Sequence, residues 1–328
     1  MSLEFLLTKG LNASLVLLFF ALIVLLLRFL YGPKGIFRDP HWDACNEQAR
    51  LDLEKWVDAR NDEDYKKAFI RYAQEFYSGN DDQDLPLRLK LEHSLEVLAI
   101  AKEIAASEPA FADHETGRAL RLAALFHDAG RFEQYERYCT FADASSCNHG
   151  LLGVRVMRQQ NFLRNEPKRM RQTVMAAIAA HNKLLLPKGL SGQKLSVLQA
   201  LRDADKLDIL RVLAQNLEPG NEDATVLLHL EDAPESWSEP VFAALKEGRV
   251  ALYKDMRFYN DFRLLLCTWL FDLHFPTSYL IADRQGHYGR ILQGLSCAPE
   301  VQAAARQVVD EDLGGKAPLA GLVAEPQV

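Results

Sequence analysis

Residues 121–135 read RLAALFHDAGRFEQY, which puts a histidine and an aspartate side by side at the end of an apolar helical pattern. His127 follows apolar residues three, four and seven positions earlier, so we predict a buried helix end that carries His127 and Asp128. Gly130 is expected to stop this helix. Because a buried carboxylate is costly unless it is paired or bound to a metal, the doublet indicates a functional site rather than plain core packing.

Other histidines and aspartates occupy similar positions along the chain. His93 and His181 share helical faces with apolar residues, Asp205 follows leucines four and seven positions earlier, and His149 begins a predicted helix. One such histidine alone is more often a hydrogen-bonded core residue than a ligand. Four imidazoles and two carboxylates together fit two first-row metal ions, with one carboxylate as a bridge. The candidate metal ligands are His93, His127, Asp128, His149, His181 and Asp205.

The order of these residues resembles the HD superfamily of metal-dependent phosphohydrolases over residues 88–212. The matching pieces are LEHSLEVLAIAKEIA, RLAALFHDAGRFEQY, TFADASSCNHGLLG, IAAHNK and LRDADKLDIL, and weaker similarity at CTWLFDLHFPTSY is shared with a group of bacterial HD-domain proteins. The resemblance implies an all-α helical bundle. His149 and His181 suggest its two-metal branch, which includes symmetrical diadenosine tetraphosphate hydrolases and cyclic-di-GMP phosphodiesterases. The GYP motif of the latter is missing.

The resemblance also implies cationic contacts to the substrate. Arg131 lies three positions after the HD doublet, where a guanidinium could hold two phosphate oxygens, so we assign it and Asp128 to catalysis. Its alternative role is that of a helix-end cation. Lys183 and Lys206 are candidate substrate-binding residues; otherwise they are solvated lysines or partners of the ligands. Glu133 and Gln134 are candidate hydrogen-bond partners of ligand histidines.

Two assignments stay open at the level of sequence. Asp203, Asp205 and Asp208 are all near the position of the last ligand, and the ADxL context together with helical register favours Asp205. Asp143 and Ser146 precede His149, and we expect them to cap its helix.

An apolar segment near the start of the chain predicts a membrane anchor. Residues 14–27 read SLVLLFFALIVLLL, and with looser flanks the segment covers 11–31. This is long enough to cross a bilayer. A cleaved signal peptide or a buried core helix are the alternatives. One lysine precedes the segment and basic residues follow at positions 28, 34 and 38, which predicts a single-pass protein of the cell (inner) membrane with the remainder in the cytoplasm.

Composition excludes several classes of protein. The net charge of −7 disfavours nucleic-acid binding, and five cysteines without a CxxC pair exclude a disulfide framework and a thiolate zinc ribbon. Helical periodicity after residue 32 predicts one helical bundle, with a loop at 78–87. The predicted parts are a flank at 1–10, the transmembrane anchor at 11–31, a linker with accessory helices at 32–87, the HD core at 88–217, a C-terminal helical part packing on that core at 218–313 and a disordered tail at 314–328.

The sequence thus predicts a membrane-anchored enzyme that hydrolyses a phosphomonoester or phosphodiester, expected to be a nucleotide, by metal-activated hydroxide. Two divalent ions are expected, with iron or manganese preferred over zinc or cobalt. The alternatives are a metal- and nucleotide-binding sensor or scaffold without turnover, and a mixed-valent di-iron oxygenase with the same ligands.

Overall fold

The computed structural model describes residues 61–217 and 230–316, in which the regular secondary structure is helical. The predicted all-α fold is confirmed over these residues. The predicted membrane segment at 11–31 lies outside them. Within the described part of the chain, no helix has both the length and the apolar character needed to cross a bilayer.

The helices are numbered here from the first one described. They are α1 (Asp62–Gln74), α2 (Asp81–Ser107), α3 (His114–Phe126), α4 (Ala129–Tyr138), α5 (His149–Gln159), α6 (Lys168–Ala180), α7 (Gly192–Asn216), α8 (Glu239–Lys246), α9 (Tyr259–Thr268), α10 (Pro276–Gln285), α11 (His287–Gln293) and α12 (Pro299–Lys316). Short 3₁₀ turns lie at Pro109–Phe111, Asp143–Ser145, Tyr253–Asp255 and Trp269–Asp272.

Helix α3 lies at the centre of the bundle. Its residues from Leu122 to Phe126 are buried without interruption, and α1, α2, α6 and α7 pack around it. Burial of each large apolar side chain stabilises such a core by about 1.5–3 kcal/mol. The outward side of α3 carries Arg118 and Arg121, which pair with Asp62 of α1. The residues that follow α3 therefore start from the middle of the molecule.

The start of α2 differs from the prediction. The segment 78–87 was expected to be a loop, but α2 begins at Asp81 because the Asn80 side chain accepts hydrogen bonds from the first-turn amides of Asp82 and Gln83. Acidic residues in the first turn also favour a helix start through the helix dipole. Pro86 is accommodated inside this helix.

The C-terminal helices are attached to α7 by a buried carboxylate. Asp203 accepts hydrogen bonds from the backbone amides of His274 and Phe275 at 2.8 and 3.1 Å and from the Ser278 hydroxyl at 2.8 Å. These contacts fix the start of α10 against the helix that carries Asp205. At the far end α12 continues to Lys316, so the predicted tail boundary at 314 falls inside a helix.

Candidate metal centre

The six predicted ligands converge on one point inside the bundle. His93 lies in the middle of α2, His127 ends α3, Asp128 precedes α4, His149 begins α5, His181 ends α6 and Asp205 lies on α7. The break between α3 and α4 falls at the HD doublet itself. The expectation that Gly130 stops the helix is therefore wrong: Gly130 lies within α4, where its lack of a side chain lets α4 approach α5.

One group of donor atoms surrounds the ring nitrogens of His93 and His127. Their Nε2 atoms lie 3.2 Å apart. Asp205 Oδ1 lies 3.1 Å from the Nε2 of His93 and 3.6 Å from that of His127. Asp128 Oδ2 completes the group at 3.8 and 3.7 Å from the same two nitrogens.

A second group of donor atoms surrounds the other oxygen of the Asp128 carboxylate, Oδ1. The Nε2 atoms of His149 and His181 are 3.1 Å apart. Asp128 Oδ1 lies 3.5 Å from the first and 3.8 Å from the second. The Asp128 carboxylate therefore separates two histidine pairs and offers one oxygen to each pair.

Hydrogen bonding assigns the same tautomer to all four rings in their neutral form. Each Nδ1 donates outward, and a neutral ring then turns an unprotonated Nε2 inward. Two facing lone pairs at 3.1–3.2 Å repel each other unless a cation lies between them. The outward acceptors are Asp208 Oδ2 at 2.6 Å for His93, the Ala124 carbonyl at 2.8 Å for His127, Asp143 Oδ2 at 2.7 Å for His149 and the Ile178 carbonyl at 2.7 Å for His181.

These donor sets fit divalent metal ions. Ligand atoms around an ion bound at about 2.1 Å lie roughly 3.0–3.4 Å from one another, close to the separations found in both groups. The donor atoms of His93, His127 and Asp205 all lie within 4.8 Å of one another, as do those of His127, Asp128 and His181. Imidazole with carboxylate suits iron, manganese, zinc or cobalt.

Charges in the centre keep its carboxylates ionised. Burial opposes ionisation of Asp128, but Lys90, His127 and Arg131 hold its pKa well below the usual value. Burial likewise opposes ionisation of Asp205, and the close rings of His127 and His93 hold its pKa well below the usual value. Both aspartates are therefore negative at neutral pH and suited to a cation.

The histidines shift in opposite directions. Burial would lower the pKa of His93, but its hydrogen bonds to Asp205 and Asp208 outweigh burial and raise it. At His149 burial prevails over the hydrogen bond to Asp143 and lowers the pKa. The His149 ring is thus the more readily neutral of the two at neutral pH.

Part of the chain matches a known protein family. Residues 91–210 match the family model of the HD domain. This segment is an HD domain. HD domains belong to a superfamily of metal-dependent phosphohydrolases, and the match covers all six candidate ligands. A search of curated proteins and a search of solved structures each found no match.

The HD domain resolves which of three aspartates faces the histidines. Asp205 faces the Nε2 atoms of His93 and His127, as predicted. Asp208 lies one turn later and accepts from the opposite side of the His93 ring, while Asp203 is turned away toward α10. The three carboxylates of this one helix therefore face different groups: Asp205 the inner side of the His93 ring, Asp208 its outer side, and Asp203 the start of α10.

Two cations contact the central carboxylate of the HD domain. The Lys90 Nζ lies 3.0 Å from Asp128 Oδ2, and the Arg131 Nε lies 3.4 Å from Oδ1. Arg131 Nε is buried and makes no hydrogen bond within the described chain, whereas Nη1 of the same group bonds the Phe141 carbonyl at 2.6 Å. Sequence reasoning missed Lys90. Its spacing of three residues before His93 on the same helix was the available signal.

Residues around His149 differ from the expectations. Asp143 accepts only a long bond from the His149 amide, at 3.4 Å, and the cap of α5 is Asn148; the main role of Asp143 is to accept from the His149 ring. Gln134 does not contact a ligand histidine directly; it donates to Asp143 at 3.0 Å. Glu133 pairs with Arg137 on the surface side of α4. Neither of these two candidates therefore bonds a ligand histidine in the part of the chain described.

Ser146 likewise does not cap α5. Its hydroxyl donates to the Ala142 carbonyl at 2.8 Å and accepts from Gln134 at 2.8 Å. The turn before His149 is therefore tied together by Gln134, which also bonds the Cys147 carbonyl. This network holds Asp143 in place behind the His149 ring.

A cavity of about 700 Å³ opens onto the metal centre, and both predicted substrate lysines line it. Lys183 is exposed, and its side chain points to no acidic partner in the part of the chain described. Lys206 is paired with the Asp272 carboxylate and donates to the Asp272 carbonyl at 2.7 Å. Burial lowers the pKa of Lys206, while Asp272 opposes that effect. Lys206 thus attaches the C-terminal part to α7 and has less freedom to bind a substrate than predicted.

Proposed function

We propose that this protein is a metal-dependent phosphohydrolase that cleaves a phosphomonoester or a phosphodiester. The observation that carries the proposal is the Asp128 carboxylate, which offers one oxygen to each of two histidine pairs and has Lys90 and Arg131 at hand. Metal ligands alone would suit several reactions. Cations beside them that line an open cavity favour an anionic substrate such as a phosphate ester.

The proposal assigns a role to each group of the centre. His93, His127 and Asp205 would hold one divalent ion and His149 with His181 a second, with Asp128 shared, iron or manganese being expected. Such ions would lower the pKa of a nucleophilic water and neutralise charge on the phosphoryl oxygens.

The protein's own cations would act on the substrate. Arg131, which lines the cavity, would donate from its guanidinium to a phosphate oxygen, and Lys90 would offset the negative charge of Asp128. Lys183 would meet the substrate at the cavity mouth. Among the cationic residues proposed to act at the site, Lys90 thus takes the place that the sequence analysis gave to Lys206.

Three further parts of the proposal rest on sequence alone. The nucleotide expected from the resemblance remains a prediction about the substrate. We also propose a single-pass anchor at residues 11–31 in the cell membrane, with the HD domain on the cytoplasmic side, because the apolar run is long enough and basic residues follow it. A phosphorylated small molecule, and no nucleic acid, is the proposed partner.

The test uses the full-length protein in detergent, stripped of metal and reloaded with manganese or, without oxygen, with iron. Hydrolysis of an aryl phosphate and the metal content per chain are measured for the wild type, Asp128→Ala and Asp113→Ala. Asp113 caps α3 outside the cavity and controls for loss of one carboxylate. We expect turnover in the wild type and in Asp113→Ala, and a loss of at least about a hundredfold in Asp128→Ala.

The alternatives make different predictions when the same metal-loaded proteins are also tested for nucleotide binding and for an iron spectrum. A sensor or scaffold would bind metal and nucleotide without hydrolysing any ester. A di-iron oxygenase would show an oxygen-dependent iron spectrum and no activity with manganese. Either result, or equal turnover by Asp128→Ala and the wild type, would contradict the phosphohydrolase proposal.

A further inference from the structure

The cavity beside the metal centre has a wall that the HD match does not include. Residues 250–254 and Trp269 form this wall, and they lie beyond residue 210, where the match ends. Most of the wall is apolar, through Val250, Leu252 and Trp269, and Ile209 of α7 continues it toward the metal centre. The phosphate-binding end and the apolar wall therefore belong to one cavity.

The outer rim of this cavity carries exposed apolar side chains. Leu184 and Tyr253 line the cavity and are 62% and 58% exposed, and Leu185 beside Leu184 is 78% exposed. Single exposed apolar residues are ordinary, but several together next to a cavity mark a surface that binds an apolar group. The rim extends the apolar wall outward from the metal centre.

Hydrogen bonds hold the wall in place. The Ala251 amide donates to the Thr268 hydroxyl at 3.1 Å, and that hydroxyl donates to the Leu265 carbonyl of α9 at 2.6 Å. The Asp255 amide closes the turn on the Leu252 carbonyl at 3.0 Å. Tyr253 is therefore exposed on an ordered turn. Binding of a ligand to such a surface loses little conformational entropy.

Two polar groups of this wall are already engaged. The Asp272 carboxylate is bonded by Arg202 at 2.6 Å and is paired with Lys206, and the Ala251 amide is bonded to Thr268. Recognition of a base edge needs free donors and acceptors, whereas an alkyl chain needs only apolar surface. The apolar surface of Val250, Leu252 and Trp269 therefore suits an alkyl chain.

We propose that the substrate is an amphiphilic phosphate ester, with its phosphate at the metal centre and a long alkyl chain along the wall and over the rim formed by Leu184, Leu185 and Tyr253. This inference rests on the proposed phosphohydrolase function and replaces the nucleotide as its substrate. For a monoester, water adds to phosphorus, the P–O bond to the chain breaks, and inorganic phosphate and the long-chain alcohol leave.

The test compares propyl, hexyl and nonyl phosphate, each below its micelle-forming concentration, with nucleoside monophosphates on the manganese-loaded full-length enzyme. Full burial of one methylene raises affinity about fourfold. We expect kcat/KM to rise at least about twofold per methylene along the series. Equal kcat/KM for propyl and nonyl phosphate, or a higher kcat/KM for a nucleoside monophosphate than for nonyl phosphate, would overturn the inference.

Variants test whether the rise in kcat/KM with chain length comes from contact with the rim. Leu184→Ser and Tyr253→Ser should lose more kcat/KM with nonyl phosphate than with propyl phosphate. Leu85→Ser is the matched control, because Leu85 is 53% exposed on α2 and does not line the cavity. It should leave the dependence on chain length unchanged. An equal loss for both esters in the Leu184→Ser variant would contradict binding of the chain at this rim.

Binding measurements test this inference independently of the proposed hydrolytic function. Calorimetry with propyl and nonyl phosphonate, which the enzyme cannot hydrolyse at a P–O ester bond, measures contact with the wall without turnover. Tighter binding of nonyl phosphonate in the wild type, weakened in Leu184→Ser, supports the inference even if no ester is hydrolysed. Equal binding of the two phosphonates overturns it, even if the aryl phosphate assay succeeds.

Discussion

Two of the four imidazoles in the centre are oriented by the backbone and two by side chains. His127 and His181 each end a helix and donate to the carbonyl three residues earlier, so the last helical turn itself sets the ring. His93 and His149 depend instead on Asp208 and Asp143. Only the second pair can be disturbed by replacing a partner side chain. Such partners commonly change metal affinity or activity by about 10–100-fold.

Replacement of Asp143 tests this dependence at the scale of one residue. Asp143→Ala removes the acceptor of the His149 Nδ1–H, so the ring loses its orientation toward His181. We expect manganese affinity at the site formed by His149 and His181 to fall about 10–100-fold, measured by metal titration of the stripped protein. Asp143→Asn keeps an acceptor oxygen and should lose less. Unchanged affinity in Asp143→Ala would show that the His149 ring needs no such partner.

Helices α4 and α5 meet through glycines directly behind the metal centre. A methyl group at Gly130 would lie 2.5 Å from the His149 carbonyl oxygen and 2.6 Å from the Gly153 amide nitrogen. Both neighbours are backbone atoms and cannot turn away. The position of His149 relative to Asp128 is thus set by how closely these two helices approach.

Gly130→Ala tests this approach at the scale of one element. The added methyl should push α4 and α5 apart and lower the free energy of unfolding by about 1–3 kcal/mol, measured by urea denaturation. Gly289→Ala on α11 is the matched control, because a methyl there meets no atom within 4 Å. That variant should be neutral or more stable by up to about 1 kcal/mol, since alanine favours a helix. Equal stability of both variants would contradict the close packing.

The charge arrangement of the whole molecule predicts sensitivity to acid. Burial opposes ionisation of Asp128, Asp205, Asp208 and Asp272, yet cationic and hydrogen-bonding partners lower the pKa of each one. An aspartate with a folded pKa below its unfolded value of about 3.9 contributes stability above that value and loses it as the pH falls through the folded pKa. All four aspartates therefore stabilise the fold at neutral pH and lose that contribution in acid.

Denaturation at several pH values checks this prediction. The contribution of these four carboxylates to the free energy of unfolding should be nearly constant from about pH 5 to 7 and fall below about pH 4, by up to about 1.4 kcal/mol per pH unit for each one. Asp272→Asn removes one titrating group and should make the decline shallower. A free energy of unfolding at about pH 3 that equals the value at pH 6 would contradict the lowered pKa values.

Much of the fold and the outline of the site could be predicted from local patterns. Helical periodicity reports which face of a segment is buried, so His93, His127, His181 and Asp205 could be placed on inward faces without a structure. The boundaries were less certain. Residues 78–87 are of types common in loops, yet the Asn80 cap starts a helix among them. Gly130 is a residue type that often ends helices, yet here it allows close packing inside one.

The sequence by itself indicated a helical bundle with six candidate metal ligands, because the pattern of apolar residues predicts which face of each helix is buried. Only the tertiary structure decided that Asp128 lies between two histidine pairs, that Asp143 orients His149, and that Lys206 is held by Asp272. It also placed the apolar wall of residues 250–254 beside the centre. These contacts join segments far apart in the chain, and spacing within a helix carries no information about which side chains of another helix it meets.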